Sequence, residues 1–227
     1  MDISVLWLKT IELNITKRFS NCYQEVPWIR QINLYDSTNI FQMINQRYQL
    51  ALSRSDLSQW LVHFSRSSVQ LENIITEGFI HPSKMNHIYS DKGAACFYDS
   101  PPSAWNEIIN TNPNGRQGFG IIVAKNALWH LGGRPVIYTD NIFQSYWPDS
   151  ERYRLIYTDL SREPYPADWT HEREWRIKGG LNLSSSDFTG TWWWPVVPSV
   201  EYLQNLWKLT QNIVSVYVIS RRQVVNR

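Results

Sequence analysis

The feature of this sequence that most restricts its fold is a series of brief apolar runs, most of them bounded by glycine or proline. Residues 60–64, 93–98 and 118–125 are short and rich in apolar side chains, which favours buried strands. Three further runs, at residues 134–138, 174–177 and 213–219, have the alternating or β-branched composition that is typical of strands. A chain divided in this way predicts a strand-rich domain.

Short helical segments are predicted between these strands. Residues 69–77 carry apolar side chains at helical spacing, and Gly78 follows where a left-handed residue closes a helix. Pro101 and Pro102 break the chain before residues 103–110, which resemble a second short helix. We therefore expect an α+β fold, with short helices on a split or barrel-like β-sheet.

The start of the chain has a different pattern. Residues 37–39 are Ser-Thr-Asn, which cap a predicted helix whose apolar positions recur from Ile40 to Leu52. A chain of 227 residues has room for one domain and an appendage, but hardly for two independent catalytic domains. We divide it into a helical N-terminal arm at residues 1–55 and a main domain at residues 56–227.

Composition excludes several classes of protein. No apolar run approaches the roughly 18 to 20 residues that cross a bilayer, and the first residues lack a secretory signal, so we expect a cytoplasmic protein with no membrane partner. Cys22 and Cys96 lie far apart without a CxxC pattern, which supports neither a disulfide framework nor a metal site. The formal charge of +2 does not by itself imply nucleic-acid binding.

The most informative motif is the acidic pair Glu172 and Glu174. In one short strand the two carboxylates would share a face, with Cα atoms about 6.5 to 7 Å apart. Neighbouring arginines would hold a carboxylate ionised and neighbouring tryptophans would shield it from water; these are Arg173, Arg176, Trp169 and Trp175. A solvated, purely structural face is the alternative interpretation.

Other common catalytic motifs are missing from the sequence. Neither a GxGxxG nor a Walker A pattern occurs, and Gly118-Phe119-Gly120 lacks the downstream glycine of a dinucleotide-binding turn. No HExxH, His-Cys cluster or GxSxG pattern is present either. The absence of these motifs disfavours a Rossmann dinucleotide-binding fold, a zinc site and a serine nucleophile.

Roughly residues 60 to 220 resemble the ADP-ribosyltransferase superfamily, because four segments match elements of that superfamily and follow the same order along the chain. The segments are residues 61–66, 75–79, 95–99 and 172–174. The likeness is to the bacterial enzymes that modify nucleic acids and to their toxin and phage-defence relatives. The same opening and the Trp-x-x-Glu-x-Glu-Trp-Arg ending also resemble an uncharacterised bacterial family linked to abortive infection.

The resemblance implies that NAD is the substrate and that no metal is used. It assigns the catalytic role to Glu174 or Glu172, and NAD binding to residues of the first and middle strands, namely His63, Phe64, Ser65, Arg66, Tyr89 and Tyr98. The chain departs from better-defined members of the superfamily because no Ser-Thr-Ser run follows the middle strand. Cleavage of the nicotinamide bond develops oxocarbenium-like charge, which a carboxylate stabilises in a water-poor pocket.

By this resemblance we expect a mono-ADP-ribosyltransferase that acts as a toxin or phage-defence effector, with an antitoxin or other inhibitory partner. Nucleic acid is favoured over protein as the acceptor, since several arginines and tryptophans would contact phosphates and bases, namely Arg152, Arg154, Arg173, Arg176 and Trp192 to Trp194. One alternative is a non-catalytic module that binds RNA or protein. Another is a metal-dependent nuclease that uses Asp168, Glu172 and Glu174.

Overall fold

The computed structural model describes residues 58–85, 88–111, 117–140, 146–184, 192–210, 213 and 215–227. All of them belong to Arg54–Arg227, one of the two units into which the chain divides. The predicted N-terminal arm, at residues 1–55, lies outside the described residues.

The described part of the chain contains more strand than helix. The strands are β1 (Trp60–Ser65), β2 (Phe79–Ile80), β3 (Ala94–Tyr98), β4 (Phe119–Ala124), β5 (Arg134–Pro135), β6 (Ile137–Thr139), β7 (Leu155–Tyr157), β8 (Glu174–Lys178), β9 (Leu181–Asn182), β10 (Trp193–Val197), β11 (Ser215–Val218) and β12 (Gln223–Asn226). The α-helices are α1 (Ser68–Glu77), α2 (Trp105–Thr111), α3 (Lys125–His130) and α4 (Leu203–Leu209). None of the helices in the described ranges is long and apolar enough to cross a membrane.

Eight strands form one large sheet in the order β12-β11-β10-β4-β1-β3-β8-β5. Every neighbouring pair in it is antiparallel except β10 and β11, which are parallel. Two small sheets accompany it, an antiparallel pair of β2 with β9 and a parallel pair of β6 with β7. The chain therefore has a mixed α+β fold with a large, mostly antiparallel sheet and short helices.

Both faces of the large sheet are covered by apolar side chains. The first face packs Leu61, Phe97 and Ile121 against buried residues of α1, α3 and α4. The second face packs Val62 and Ile122 with residues that include Tyr98 and Trp105, the latter at the start of α2. Because side chains alternate along a strand, neighbours in sequence such as Leu61 and Val62 lie on opposite faces.

The connection from β1 to β2 shows how local sequence sets the fold. The Ser67 hydroxyl accepts a hydrogen bond from the backbone N–H of Gln70 at 3.2 Å and caps the start of α1. Gly78 ends the helix with φ 63° and ψ 26°, which confirms the predicted left-handed glycine. A Cβ atom at Gly78 would lie 2.2 Å from the Ser184 hydroxyl oxygen, so a larger residue would displace that hydroxyl in addition to being disfavoured by φ.

The predicted strand at residues 134–138 is divided in the structure, and this is a correction. Arg134 and Pro135 pair with β8, whereas the chain from Ile137 onward pairs with β7 in a separate sheet. Val136 lies between the two and donates its N–H to the Glu174 carbonyl at 2.9 Å. The pattern of apolar residues does not show this change of partner, because both halves are extended.

Candidate functional site

A row of polar side chains lies on the second face of the sheet, where β3 and β8 pair. Tyr98 is opposite Glu174, and Cys96 is opposite Arg176. All four side chains share this face because residues two apart along a strand point the same way. The antiparallel register thus brings together residues that are about 80 positions apart in sequence.

Glu174 and Arg176 form a buried ion pair within this row. Arg176 Nε donates to Glu174 Oε1 at 2.8 Å, and Nη2 donates to Oε2 at 3.2 Å. Arg176 Nη1 donates to the carbonyl oxygens of Tyr153 and Leu155, at 2.9 and 3.2 Å. Glu174 is 6% exposed and Arg176 is 1% exposed, so the two charges are desolvated together.

Glu172 does not belong to the same strand as Glu174, so the predicted geometry of the acidic pair is wrong. Glu172 ends a 3₁₀ turn, Thr170–Glu172, and Arg173 then adopts the left-handed conformation with φ 46° and ψ 46° before β8 begins. A left-handed residue other than glycine breaks the alternation that the prediction assumed. Nothing in the local pattern of apolar residues signals such a residue at position 173.

Glu172 nevertheless lies beside the polar row. Tyr98 donates its hydroxyl to Glu172 Oε1 at 3.2 Å, and the Glu172 residue is half-exposed. The backbone N–H of Asp99 donates to the Arg173 carbonyl at 3.3 Å, which joins the turn to the end of β3. The two predicted catalytic glutamates therefore flank Tyr98, one in a half-exposed turn and one in a buried ion pair.

The turn that carries Glu172 is stiffened by Asp168. Its Oδ1 atom accepts hydrogen bonds from the Thr170 backbone N–H at 2.9 Å and from the Thr170 hydroxyl at 2.6 Å. These two bonds hold the pKa of Asp168 below its ordinary value. On the same turn, Trp169 and His171 are exposed on either side of Thr170.

Two groups near the acidic pair were not found by sequence reasoning. The Tyr138 hydroxyl is buried close to Glu174 and Glu172, and burial together with those carboxylates raises the pKa of Tyr138. Burial, followed by the charge of Glu174, raises the pKa of Cys96 well above its ordinary value. Both side chains are held in the neutral form at pH 7, and β6 supplies one of them from a distant part of the sequence.

Lys125 and Asp99 form a second ion pair at the end of β3. Lys125 Nζ lies 2.7 and 2.8 Å from the two carboxylate oxygens of Asp99 and 5.9 Å from the centre of the Trp175 ring. Asp99 is 7% exposed. This pair fixes the strand end whose backbone holds the Arg173 carbonyl, and sequence reasoning did not single it out.

His63 lies on the first face of the sheet, opposite to the acidic pair. Its Nδ1 atom donates to the Cys96 carbonyl at 2.9 Å, and its ring centre is 5.7 Å from that of Phe97. Phe97 belongs to the core of the first face, whereas Tyr98 belongs to that of the second. The structure therefore does not bring His63 together with Tyr98 and Glu174 on one face.

The other predicted NAD-binding residues have varied surroundings. Phe64 packs in the core with its ring centre 5.9 Å from Tyr98 and 6.0 Å from Trp105. Ser65 is buried and donates its hydroxyl to the Ser67 carbonyl at 3.1 Å. Arg66 is exposed, and Tyr89 is half-exposed in the segment before β3. Of this set, Tyr98 is placed in contact with a predicted catalytic glutamate.

Most of the residues predicted to contact a nucleic acid are buried or bound to other parts of the protein. Arg176 is buried, Arg154 binds Glu151 and the Pro135 carbonyl, and Arg152 binds Asp149. The Trp194 ring centre lies 4.6 Å from that of Trp60, and Trp192 and Trp193 pack against the first core. The three tryptophans therefore contribute to packing in the described structure.

A metal site has no support in the described ranges, where no three side chains among His, Cys, Asp and Glu are placed to hold an ion. Comparison of the chain with protein-family models, curated proteins and solved structures finds no match. The function is therefore argued from the geometry of this chain.

Proposed function

We propose that the protein is a mono-ADP-ribosyltransferase that transfers ADP-ribose from NAD to a macromolecular acceptor, with nucleic acid favoured over protein. The observation that supports the proposal is the contact of the Tyr98 hydroxyl with the half-exposed Glu172 carboxylate, beside the buried Glu174. Loss of nicotinamide leaves positive charge on the ribose, and an oriented carboxylate stabilises that charge. A fixed, partly exposed carboxylate is what this step requires.

The two glutamates have different roles in this proposal. Both oxygens of Glu174 are held by Arg176 in a buried pair, which makes Glu174 a positioning residue. Glu172 lies on a stiff turn at the surface end of β8, where a substrate entering from solvent meets it. We therefore assign to Glu172 the contact with the ribose and to Glu174 the placement of β8.

Two tyrosines supply the surroundings of the reacting bond. Tyr98 donates to Glu172 and so fixes the direction of its carboxylate. Tyr138 is close to both carboxylates, and its pKa, raised mainly by burial, keeps its hydroxyl protonated well above pH 7. Phenol rings also offer flat surfaces for stacking, which suits a nicotinamide ring.

The acceptor is proposed from the exposed side chains on the turn of Glu172. Trp169 is 47% exposed and His171 is exposed, and both shortly precede Glu172 in sequence. An exposed indole stacks on any nucleobase, which makes it suited to single-stranded DNA or RNA. A nucleic-acid acceptor is consistent with a toxin or phage-defence effector, and that biological role belongs to the same proposal.

A non-catalytic binding module is the second candidate, and one observation favours it. His63 lies on the first face of the sheet, whereas Tyr98 and Glu174 lie on the second, so the predicted NAD-binding residues do not converge. In such a module the Glu174–Arg176 pair would be structural. A binding module of this kind would not consume NAD.

The test is incubation of the purified full-length chain with NAD labelled in its adenylate phosphate. Single-stranded DNA, RNA and a bacterial protein extract serve as separate acceptors. Transfer and nicotinamide release should fall about 100- to 1,000-fold in Glu172→Gln, the cost of losing one preorganised electrostatic contact. Glu163→Gln, an exposed glutamate on the same connection between β7 and β8, should keep full activity.

Unfolding curves of the same variants separate catalysis from stability. Glu172→Gln should unfold at the urea concentration of the wild type, since the residue is half-exposed in a turn. Absence of both transfer and nicotinamide release with every acceptor would replace the transferase with the binding module. Activity retained in Glu172→Gln but lost in a folded Glu174→Gln would reverse the two roles.

A further inference from the structure

The connection between β7 and β8 presents several large apolar side chains to solvent. Leu160 is 65% exposed and Tyr165 is 79% exposed, and Trp169 follows four residues later. We call residues 158–168 the β7–β8 surface. Aromatic side chains such as that of Tyr165 are enriched at the centres of protein interfaces, where they bury large areas at a small entropic cost.

The loop that carries these side chains is closed at its base. Asp159 and Ala167 exchange two backbone hydrogen bonds, at 3.0 and 2.8 Å. The Asp159 carboxylate also accepts from the Tyr157 hydroxyl at 2.8 Å, and from the Ser161 N–H and hydroxyl at 3.0 and 2.7 Å. A loop held in one shape loses little conformational freedom when it binds, which favours a preorganised contact.

The charge of the β7–β8 surface indicates the kind of partner. Three acidic residues, Asp159, Glu163 and Asp168, accompany one basic residue, Arg162, so the net charge is −2. This charge disfavours contact of residues 158–168 with a phosphate backbone, since nucleic-acid affinity depends on lysine and arginine. The same charge complements a protein surface on which basic side chains surround an apolar pocket.

We propose that the β7–β8 surface is a docking site for a protein partner, whose apolar pocket receives Tyr165 and whose basic rim faces Glu163 and Asp168. The site is independent of the proposed transferase reaction, because it requires no contact with NAD. Trp169 follows the surface directly and precedes the turn that ends at Glu172, so a docked partner lies close to that turn. Binding here therefore restricts what else reaches Glu172.

The test places p-benzoylphenylalanine at position 165 of the full chain, in the native cell, and cross-links it by ultraviolet light. Val69 provides the control position, because it is a single exposed apolar residue on α1, 62% exposed. The cross-linked protein is identified by mass spectrometry, purified, and titrated against the wild type, Tyr165→Ala, Glu163→Lys and Val69→Ala by isothermal calorimetry.

We expect one protein to cross-link at position 165 and not at position 69. Its affinity should fall at least tenfold for Tyr165→Ala and severalfold for Glu163→Lys, and stay within twofold for Val69→Ala. The proposal is overturned by the absence of a protein cross-link, by cross-links to nucleic acid alone, by equal labelling at both positions, or by a partner that binds Tyr165→Ala like the wild type. Since NAD is not involved, these outcomes leave the transferase proposal untouched.

Discussion

Two nitrogens of the Arg176 guanidinium donate to the Glu174 carboxylate, at 2.8 and 3.2 Å, and its third nitrogen donates to the carbonyls of Tyr153 and Leu155. Burial lowers the pKa of Arg176, but the adjacent carboxylate more than offsets this and holds that pKa above its ordinary value. One side chain thus ties β8 to the segment that leads into β7. The fold in this region therefore depends on the positive charge of Arg176, which is buried away from solvent.

Removal of Arg176 should therefore be among the most destabilising changes in the described part of the chain. Arg176→Met leaves the Glu174 carboxylate buried without a counter-ion, and we expect a loss of about 3 to 5 kcal/mol in the free energy of unfolding. Urea denaturation followed by tryptophan fluorescence measures it. Arg66→Met, an exposed arginine, should change the free energy by less than about 0.5 kcal/mol.

The double variant Glu174→Leu, Arg176→Met tests the cause of that loss. With both charges removed, no buried carboxylate lacks a counter-ion. At least half of the stability lost in Arg176→Met should therefore return. The carbonyls of Tyr153 and Leu155 still lack their donor, so full recovery is not expected. A double variant as unstable as Arg176→Met would show that these carbonyls, and not the buried carboxylate, dominate.

The contact of Tyr98 with Glu172 should appear as a coupling between the two side chains. Tyr98→Phe removes the hydroxyl that donates at 3.2 Å, and we expect a loss of about 0.5 to 1.5 kcal/mol in stability. Glu172→Ala removes the acceptor, and in a double-mutant cycle with this variant the two losses should be less than additive. Tyr165→Phe, which alters an exposed hydroxyl, serves as the control. Strict additivity would show that the contact contributes nothing to the folded state.

Cys96 should react slowly with thiol reagents in the folded protein. Its pKa is raised well above the ordinary value, so the reactive thiolate is scarce at pH 8. A Cys22→Ser variant leaves Cys96 as the single thiol. Iodoacetamide should label this variant at least about tenfold more slowly when it is folded than in 8 M urea. The reason is that each unit by which the pKa rises lowers the thiolate fraction about tenfold. Equal labelling rates would contradict the assigned environment.

Asp159 should contribute to stability only while it is ionised. Hydrogen bonds from Ser161, and then from Tyr157, lower the folded pKa of this carboxyl below its unfolded value of about 3.9. The stabilisation is therefore complete above about pH 4 and is lost as the pH falls through the folded pKa. Asp159→Asn should lower the melting temperature at pH 7, and its difference from the wild type should shrink toward pH 2.5.

Thermal denaturation monitored by circular dichroism between pH 7 and pH 2.5 measures this effect. Asp91→Asn, which changes an exposed aspartate in another turn, provides the control. A difference between Asp159→Asn and the wild type that persists at pH 2.5 would show that the charge of Asp159 is not the source of its contribution.

Much of the local structure could be predicted because it depends on short-range patterns. The predicted strands at residues 60–64, 93–98 and 118–125 correspond to β1, β3 and β4, and the helix before Gly78 corresponds to α1. β10 was not predicted as a strand, since Pro195 lies within it and lacks the N–H that a central strand normally donates. Its pairing with β4 is a tertiary contact and leaves no local signal.

The sequence predicted some neighbours within the candidate site but not their geometry. The pattern around residue 174 pointed to Glu172 and Glu174, the family resemblance added Tyr98 or Tyr89, and the structure places Tyr98 beside both glutamates. The left-handed Arg173 separates the glutamates, and the side on which His63 lies depends on the register of β1 against β3. A shift of one residue in that register would reverse every side chain of the strand, and a single sequence does not specify it.

The order of strands in the large sheet has a consequence for synthesis of the protein. β1 lies near the middle, and its neighbours β3 and β4 are themselves flanked by β8 and β10, both made after residue 173. In a chain emerging from the ribosome, β3 therefore stays an unpaired edge until β8, ending at residue 178, has left the exit tunnel, and β4 until β10, ending at residue 197, has done so. Slow translation of the last segments prolongs the exposure of these edges. We therefore expect chaperones and proteases to act on the protein at this stage of synthesis.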